Sequence, residues 1–315
     1  MARSNLPSKS NKKKNPTVTR LSFECSGGST QFIDVGMALS AVNRKFFRAG
    51  LYYYINSVEV YNDEQGVVDI HTAPDNWITR NAHTRGSKIF DKMNSMVDDI
   101  SGVGRPAYHD FKVYLNNLHR TTGSKAPSLH TIDAGSLALV PDEWQYSQFT
   151  SADDDQTPNV GAGPFADEFY AHLIGGHVGS PADWTSIGLI KSYAESRSTV
   201  EPSSPHAGTL DPADPLINIF DFSSEEQMND IIVNLQGHND QPPYNYDNYV
   251  GEQDQCLQHV GRVGTEVGLG RVGRMAGFCA PFGLICIDPH SVSTDFRVVL
   301  NIAAGSYKGV YAESA

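Results

Sequence analysis

Six cations and no acid stand in the first twenty residues: Arg3, Lys9, Lys12, Lys13, Lys14 and Arg20. Ammonium and guanidinium groups at that density are suited to contacts with phosphate oxygens, which release condensed counterions and read no bases. The rest of the chain has the opposite sign. The formal net charge of the 315 residues is −12, so setting aside the +6 of this arm leaves −18 on the body. Such a body repels a polyanion over most of its surface and confines that partner to the arm. The bland alternative is a flexible solubilising terminus, and Lys12-Lys13-Lys14 also has the composition of a nuclear-import patch.

Other residue types with chemical capacity are scattered. His172 and His177 are five positions apart and lack the intervening glutamate of an H-E-x-x-H zinc helix, so no metal ligand set is assigned. The run Asp153-Asp154-Asp155 offers the clustered oxygens that calcium requires between subunits, although solvated loop charge is the simpler reading. No G-x-S-x-G elbow or C-G-[SA]-C-[WY] segment is present, and Asp211 and Asp214 fall in a proline-marked turn. The expectation is therefore no catalytic residue, no enzyme, and no cofactor beyond interfacial calcium. Cys25, Cys256, Cys279 and Cys286 form no C-x-x-C pair and read as buried thiols rather than a disulfide framework.

Binding surfaces have two further candidates. Tyr244, Tyr246 and Tyr249 stand in a polar, proline-interrupted stretch and suit an interface. With Trp184 they would equally serve a virion-attachment or carbohydrate-binding β-sandwich, the alternative reading. The glycine-rich residues 260–274 match no phosphate-binding fingerprint and read as loop or irregular strand; Arg262, Arg271 and Arg274 would add a second basic surface there.

The elements that must position these groups read mostly as strands. Residues 18–25 and 51–60 are rich in alternating, β-branched or aromatic residues, and a turn at 63–66 leads into 67–71, so 51–71 is expected to be a β-hairpin. Residues 32–43 tolerate both periods and lean to strand. Apolar residues at helical spacing predict a helix over 77–96 with a continuation through Asp99, started by Pro74-Asp75-Asn76, and 111–118 fits either period. Further strands are expected at 137–140, 144–149, 169–174, 187–194, 282–287 and 296–302, and a capped short helix near 223–232. The composition, 39% hydrophobic, provides for a large core. No apolar run approaches the roughly 18 residues of a membrane span, so a soluble, intracellularly made chain is expected. Together these elements predict an all-β fold, a jelly-roll β-sandwich with elaborated loops and one or two short helices, in which residues 1–20 are a flexible arm and 21–315 the assembly domain.

The segments LYYYINSVEVY, HTAPDNWITRNAHTRGSKIFDKM, DWTSIGLIKSYAESRSTV and DPLINIFD, in that order behind a basic arm, resemble capsid proteins of small circular Rep-encoding single-stranded DNA viruses. Trp77, Arg80, Asn81, Gly188, Leu189, Ile190, Ser192, Tyr193 and Arg197 carry the likeness. It implies a jelly-roll subunit that self-assembles into an icosahedral shell, holds the genome on its arm, and resides in the virion, with passage through the host nucleus and recognition of a host surface receptor. The arm here departs from the more arginine-rich arms of many such proteins, which leaves neutralisation of the genome incomplete.

Overall fold

A computed structural model describes residues 17–101, 108–131, 135–139, 144–151, 167–180, 183–197, 249–252, 257–265, 272–303, 305–307 and 310–312. In chain order the first half comprises β1 (Arg20–Cys25), β2 (Gln31–Asp34), α1 (Val35–Asn43), β3 (Tyr53–Tyr61), β4 (Gly66–Thr72), α2 (Trp77–Ser101), β5 (Tyr114–Asn116), α3 (Asn117–Thr122), β6 (Ser128–Thr131) and β7 (Gly135–Ala138). The second half adds β8 (Gln148–Ser151), β9 (Asp167–Ile174), β10 (Val178–Ser180), β11 (Asp183–Gly188), α4 (Leu189–Arg197), β12 (Gln258–Thr265), β13 (Val272–Ala280), β14 (Leu284–Asp288), β15 (Phe296–Ile302), β16 (Gly305–Tyr307) and β17 (Val310–Ala312).

Two antiparallel sheets, ordered β1-β15-β3-β13 and β12-β4-β14-β2, enclose one core. Period-2 alternation sends Leu21, Phe23 and Cys25 of β1 and Phe296, Val298 and Leu300 of β15 inward, where they meet Ile33, Val68, Ile70, Ile285 and Ile287 from the facing sheet. The second sheet is buried on both faces. In β14, Ile285 and Ile287 point into this first core while Leu284 and Cys286 point into a second one, so the strand reads as a continuous apolar run.

That second core is covered by helices and a third sheet. The order there is β10-β11-β9-β5, with β8 also on β9; β5 and β11 run parallel to β9, and β8 runs antiparallel to it. Helix α2 lays Ile78, Ala82 and Phe90 against Phe111, Phe149, Leu189 and Ile190. Gly86 stands where α4 crosses: a Cβ there would come within 2.9 Å of Leu189 and 3.1 Å of Phe111. Asn76 caps α2 by accepting the Thr79 N–H at 2.8 Å.

These observations correct the expected fold. With four α-helices among the described residues, a sheet containing parallel pairs, and sheets that stay open rather than closing on themselves, the protein is a mixed α/β fold and not an all-β jelly roll. Three local causes account for the difference. Asp34 accepts the Met37 N–H at 3.0 Å and starts α1 inside residues 32–43, where a strand was expected. Residues 187–194 leave β11 at Gly188 and turn into α4. The strands at 53–61 and 66–72 exist, but they lie in different sheets, so the exposed turn between them passes from one sheet to the other instead of closing a hairpin. The expected helix near 223–232 lies outside the described residues. No helix among the described residues is long and apolar enough to cross a membrane.

Candidate functional site

Among the described residues two serine–histidine pairs sit within hydrogen-bond distance, one part-buried and one buried. Helix α3 begins at Asn116, whose Oδ1 accepts the His119 N–H at 2.8 Å, and this turn returns the imidazole over the preceding strand. There the Leu115 N–H donates to His119 Nδ1 at 3.0 Å. Burial pushes this imidazole down to about 3, so the ring is neutral and carries its proton on Nε2. Nε2 therefore donates to Ser124 Oγ at 2.6 Å, Ser124 donates to the Tyr146 hydroxyl at 2.5 Å, and Tyr146 donates to Asp34 Oδ2 at 3.3 Å. The proton order runs the wrong way for catalysis: a histidine that gives its proton to serine cannot remove one from it.

This relay is a structural bolt. It ties α3 to the β2–α1 junction through Asp34, which is only 2% exposed and whose carboxyl is raised by burial to about 6 despite hydrogen bonds from Met37, Tyr146 and Gly36. Phe32 stacks on His119 at 4.8 Å and Tyr114 on Tyr146 at 3.9 Å, closing the bolt above and below. The second pair joins neighbouring strands β9 and β11: His172 Nε2 donates to the Gly176 carbonyl at 2.9 Å, leaving Nδ1 to accept from Ser186 at 2.7 Å. Here the proton order would suit a base, but both residues are fully buried and a substrate has no access to the hydroxyl.

Open concave surface lies along α2 instead. A small apolar pocket of about 140 Å³ is floored by Ala82, Gly86, Phe149, Ala171 and Leu189. It shares Arg85 and Ile89 with a wider groove of about 430 Å³ that is lined by Asn81, Thr84, Arg85, Lys88, Ile89, Lys92 and Tyr193. Arg85 is steered by the Ser192 carbonyl, which accepts from its guanidinium at 2.8 Å. Among the described residues neither Lys88 nor Lys92 forms an ion pair. The Asp91 Oδ1 lies 3.4 Å from His109 Nε2, and Arg80 is paired with Asp75 at 2.7 Å. At the amino-terminal end of α2, Trp77 is 40% exposed and meets Tyr193 edge-on at 6.4 Å.

The residues singled out by sequence have varied placements. Arg3, Lys9, Lys12, Lys13, Lys14, Tyr244, Tyr246, Asp153, Asp154, Asp155, Arg271 and Cys256 lie outside the described residues. Arg20 opens β1 and pairs with Glu59 at 3.0 Å, so it is spent on the sheet. Just ahead of it Asn43 clasps Val18, accepting its N–H at 2.6 Å and donating to its carbonyl at 3.1 Å. Tyr249 is 8% exposed and packs between Trp77 and Tyr193, which makes it a core residue rather than an open interface ring. Trp184 packs edge-on against His177 at 5.4 Å. Arg262 is committed to Asp69, donating from Nε and a terminal nitrogen at 2.7 Å each; that bidentate contact holds the Asp69 carboxyl below its usual range. Arg274 reaches Glu59 at 3.7 Å, so Arg262 and Arg274 do not form a free basic surface. Cys25 and Cys286 are free thiols, and burial pushes both up to about 12. No group of three or more His, Cys, Asp or Glu among the described residues is arranged to hold a metal ion.

Sequence reasoning missed the groove because it used α2 only for its apolar face. The available signal was the spacing of Arg85, Lys88 and Lys92, which at i, i+3 and i+7 share one side of a helix. The bolt had no local signal, since Asp34 and Tyr146 are 112 positions apart. Comparison of the chain with family models, with curated proteins and with solved structures returned no match.

Proposed function

We propose that this chain is a structural subunit of a virus-like shell: a coat protein that self-associates into a closed icosahedral particle and holds single-stranded DNA on its basic arm without reading sequence. One observation carries the reading, the segregation of charge between a first twenty residues of +6, five of whose cations precede β1, and a remainder of −18. A polyanion attracted by the first and repelled by the second is held at one end of each subunit, which is the geometry needed to line a container with genome. The root of the arm agrees with that use. β1 is an edge strand, Val18 is clasped by Asn43, and Arg20 is fastened to Glu59, so the five cations ahead of them start from a fixed point.

The resemblance carried by Trp77, Asn81, Ser192 and Tyr193 supports the same class, and these residues gather on α2 and α4 around one groove. Like-charged bodies meeting in a shell need an offset, for which interfacial calcium on Asp153, Asp154 and Asp155 is part of the proposal. The test is negative-stain electron microscopy with light scattering after size exclusion, on full-length protein with and without single-stranded DNA. Uniform closed particles are expected; monomers or small oligomers under both conditions would overturn the proposal.

A further inference from the structure

We infer that the groove along α2 is a second polyanion site, on the folded body, and that it takes the sugar–phosphate backbone of a single-stranded nucleic acid. The groove is a local inversion of charge. On a body of −18 its lining contains Arg85, Lys88 and Lys92 and no acid, and among the described residues no carboxylate neutralises either lysine. Unpaired cations gathered in a concavity recruit an anion from outside, since the potential there is focused by the low-dielectric walls.

The shape selects an extended anion over a point charge. From Arg85 to Lys92 the helix rises about 10 Å, and the neutral donors Asn81 and Thr84 lengthen the row to about 16 Å. That span covers two to three successive phosphates of a stretched strand. The groove also has an aromatic end: Tyr193 forms part of the wall, and Trp77, partly exposed, lies edge-on beside it. Cations in a row beside aromatic surface are the arrangement by which single strands are bound without base readout, with phosphates on the charges and a base or sugar against a ring. An acidic peptide would satisfy the lysines but make no use of the exposed part of the Trp77 ring. The extended anion is argued from the groove alone; the choice of nucleic acid rests also on the reading of the arm given above.

The test is fluorescence anisotropy of a labelled oligothymidylate titrated with the full chain as salt is raised, using two sets of substitutions. One set removes groove charge, Lys88→Gln with Lys92→Gln, at exposed positions whose loss should leave thermal unfolding unchanged. The other neutralises the arm, Lys9→Gln, Lys12→Gln, Lys13→Gln and Lys14→Gln. The arm variant is expected to keep measurable binding that the groove substitutions weaken about tenfold, and in the wild-type background the groove substitutions should lower the log–log salt slope by about 1.4. An unchanged affinity and slope on groove substitution would overturn the inference and leave the arm reading standing. Groove-dependent binding that ignores the arm substitutions would sink the arm reading and support this one. Groove-dependent binding of labelled heparin without binding of the oligonucleotide would overturn the choice of nucleic acid.

Discussion

Replacing Asp34 by Asn should abolish a distinct pH dependence of stability. Asp34 ends β2, caps α1 and anchors the serine–histidine bolt, all at 2% exposure. Its carboxyl is raised from 3.8 to about 6, chiefly by desolvation, against the opposing pull of the Met37 and Gly36 amides, the Tyr146 hydroxyl and Lys112. A shift of about two units corresponds to roughly 3 kcal/mol between the protonated and ionised forms. Because the folded state holds this proton more tightly than the unfolded chain does, the stabilisation is complete below about pH 4 and is lost as pH rises through about 6. Asn keeps an oxygen for the Met37 amide and cannot titrate, so the cap survives the substitution. The assay is urea unfolding of both proteins from about pH 4 to 7.5, with the difference in unfolding free energy plotted so that the remaining carboxylates cancel. Wild type should lose on the order of 3 kcal/mol relative to the variant across that window. A difference flat to within about 0.5 kcal/mol would refute the premise that Asp34 is desolvated where it stands.

Three other outcomes follow from the contacts described. Arg262→Ala should move the Asp69 carboxyl up toward its ordinary range in a carbon-detected titration; since Asp69 is depressed when folded, the stability lost at neutral pH should shrink as the solution is acidified, and an unmoved Asp69 would contradict the bidentate pairing. Gly188→Ala should destabilise by about 3 kcal/mol, because a Cβ there overlaps the Gly175 carbonyl oxygen and neither backbone has room to retreat; an unchanged melting temperature would refute that packing. A fluorophosphonate probe should leave Ser124 and Ser186 unlabelled in the native protein, and mass-spectrometric detection of the adduct at either serine would overturn the structural role assigned to both pairs.

What could be read from the sequence divides by the range of the forces involved. The residue pattern located β1, β3, β4, β9 and β15 and nearly all of α2, because alternation and helical spacing are local properties. The pattern did not reveal partners. The strands at 53–61 and 66–72 look like a hairpin to any local criterion, yet the core lies between them. Residues 32–43 and 187–194 contain branched and aromatic side chains that favour strand; the helical outcome came with the cap of Asp34 on Met37 and the end of β11 at Gly188. The glycine-rich residues 260–274 were expected to be loop or irregular strand; β12 pairs there with β4, with a register shift between His259 and Gly261, β13 pairs with β3 in the other sheet, and residues 266–271 lie outside the described residues. Charge segregation, the feature that carries the functional proposal, needs no fold at all to be seen. The groove on α2 needs one, since it is defined by what α4 leaves uncovered.

The sheet order has a consequence for how the protein comes into being. β14 lies between β4 and β2, and β15 lies between β1 and β3, so the middle strand of each half-sheet is later in the chain than both of its neighbours. A ribosome therefore delivers four strands with facing edges open and must extend the chain to residues 284–302 before either gap is filled. Until then the apolar faces of those strands and their unpaired amides are available to any other nascent chain. Folding must wait for this late segment, and production of the protein calls for shielding of the emerging chain. A message cut short before residue 284 would yield aggregate rather than a smaller soluble fragment.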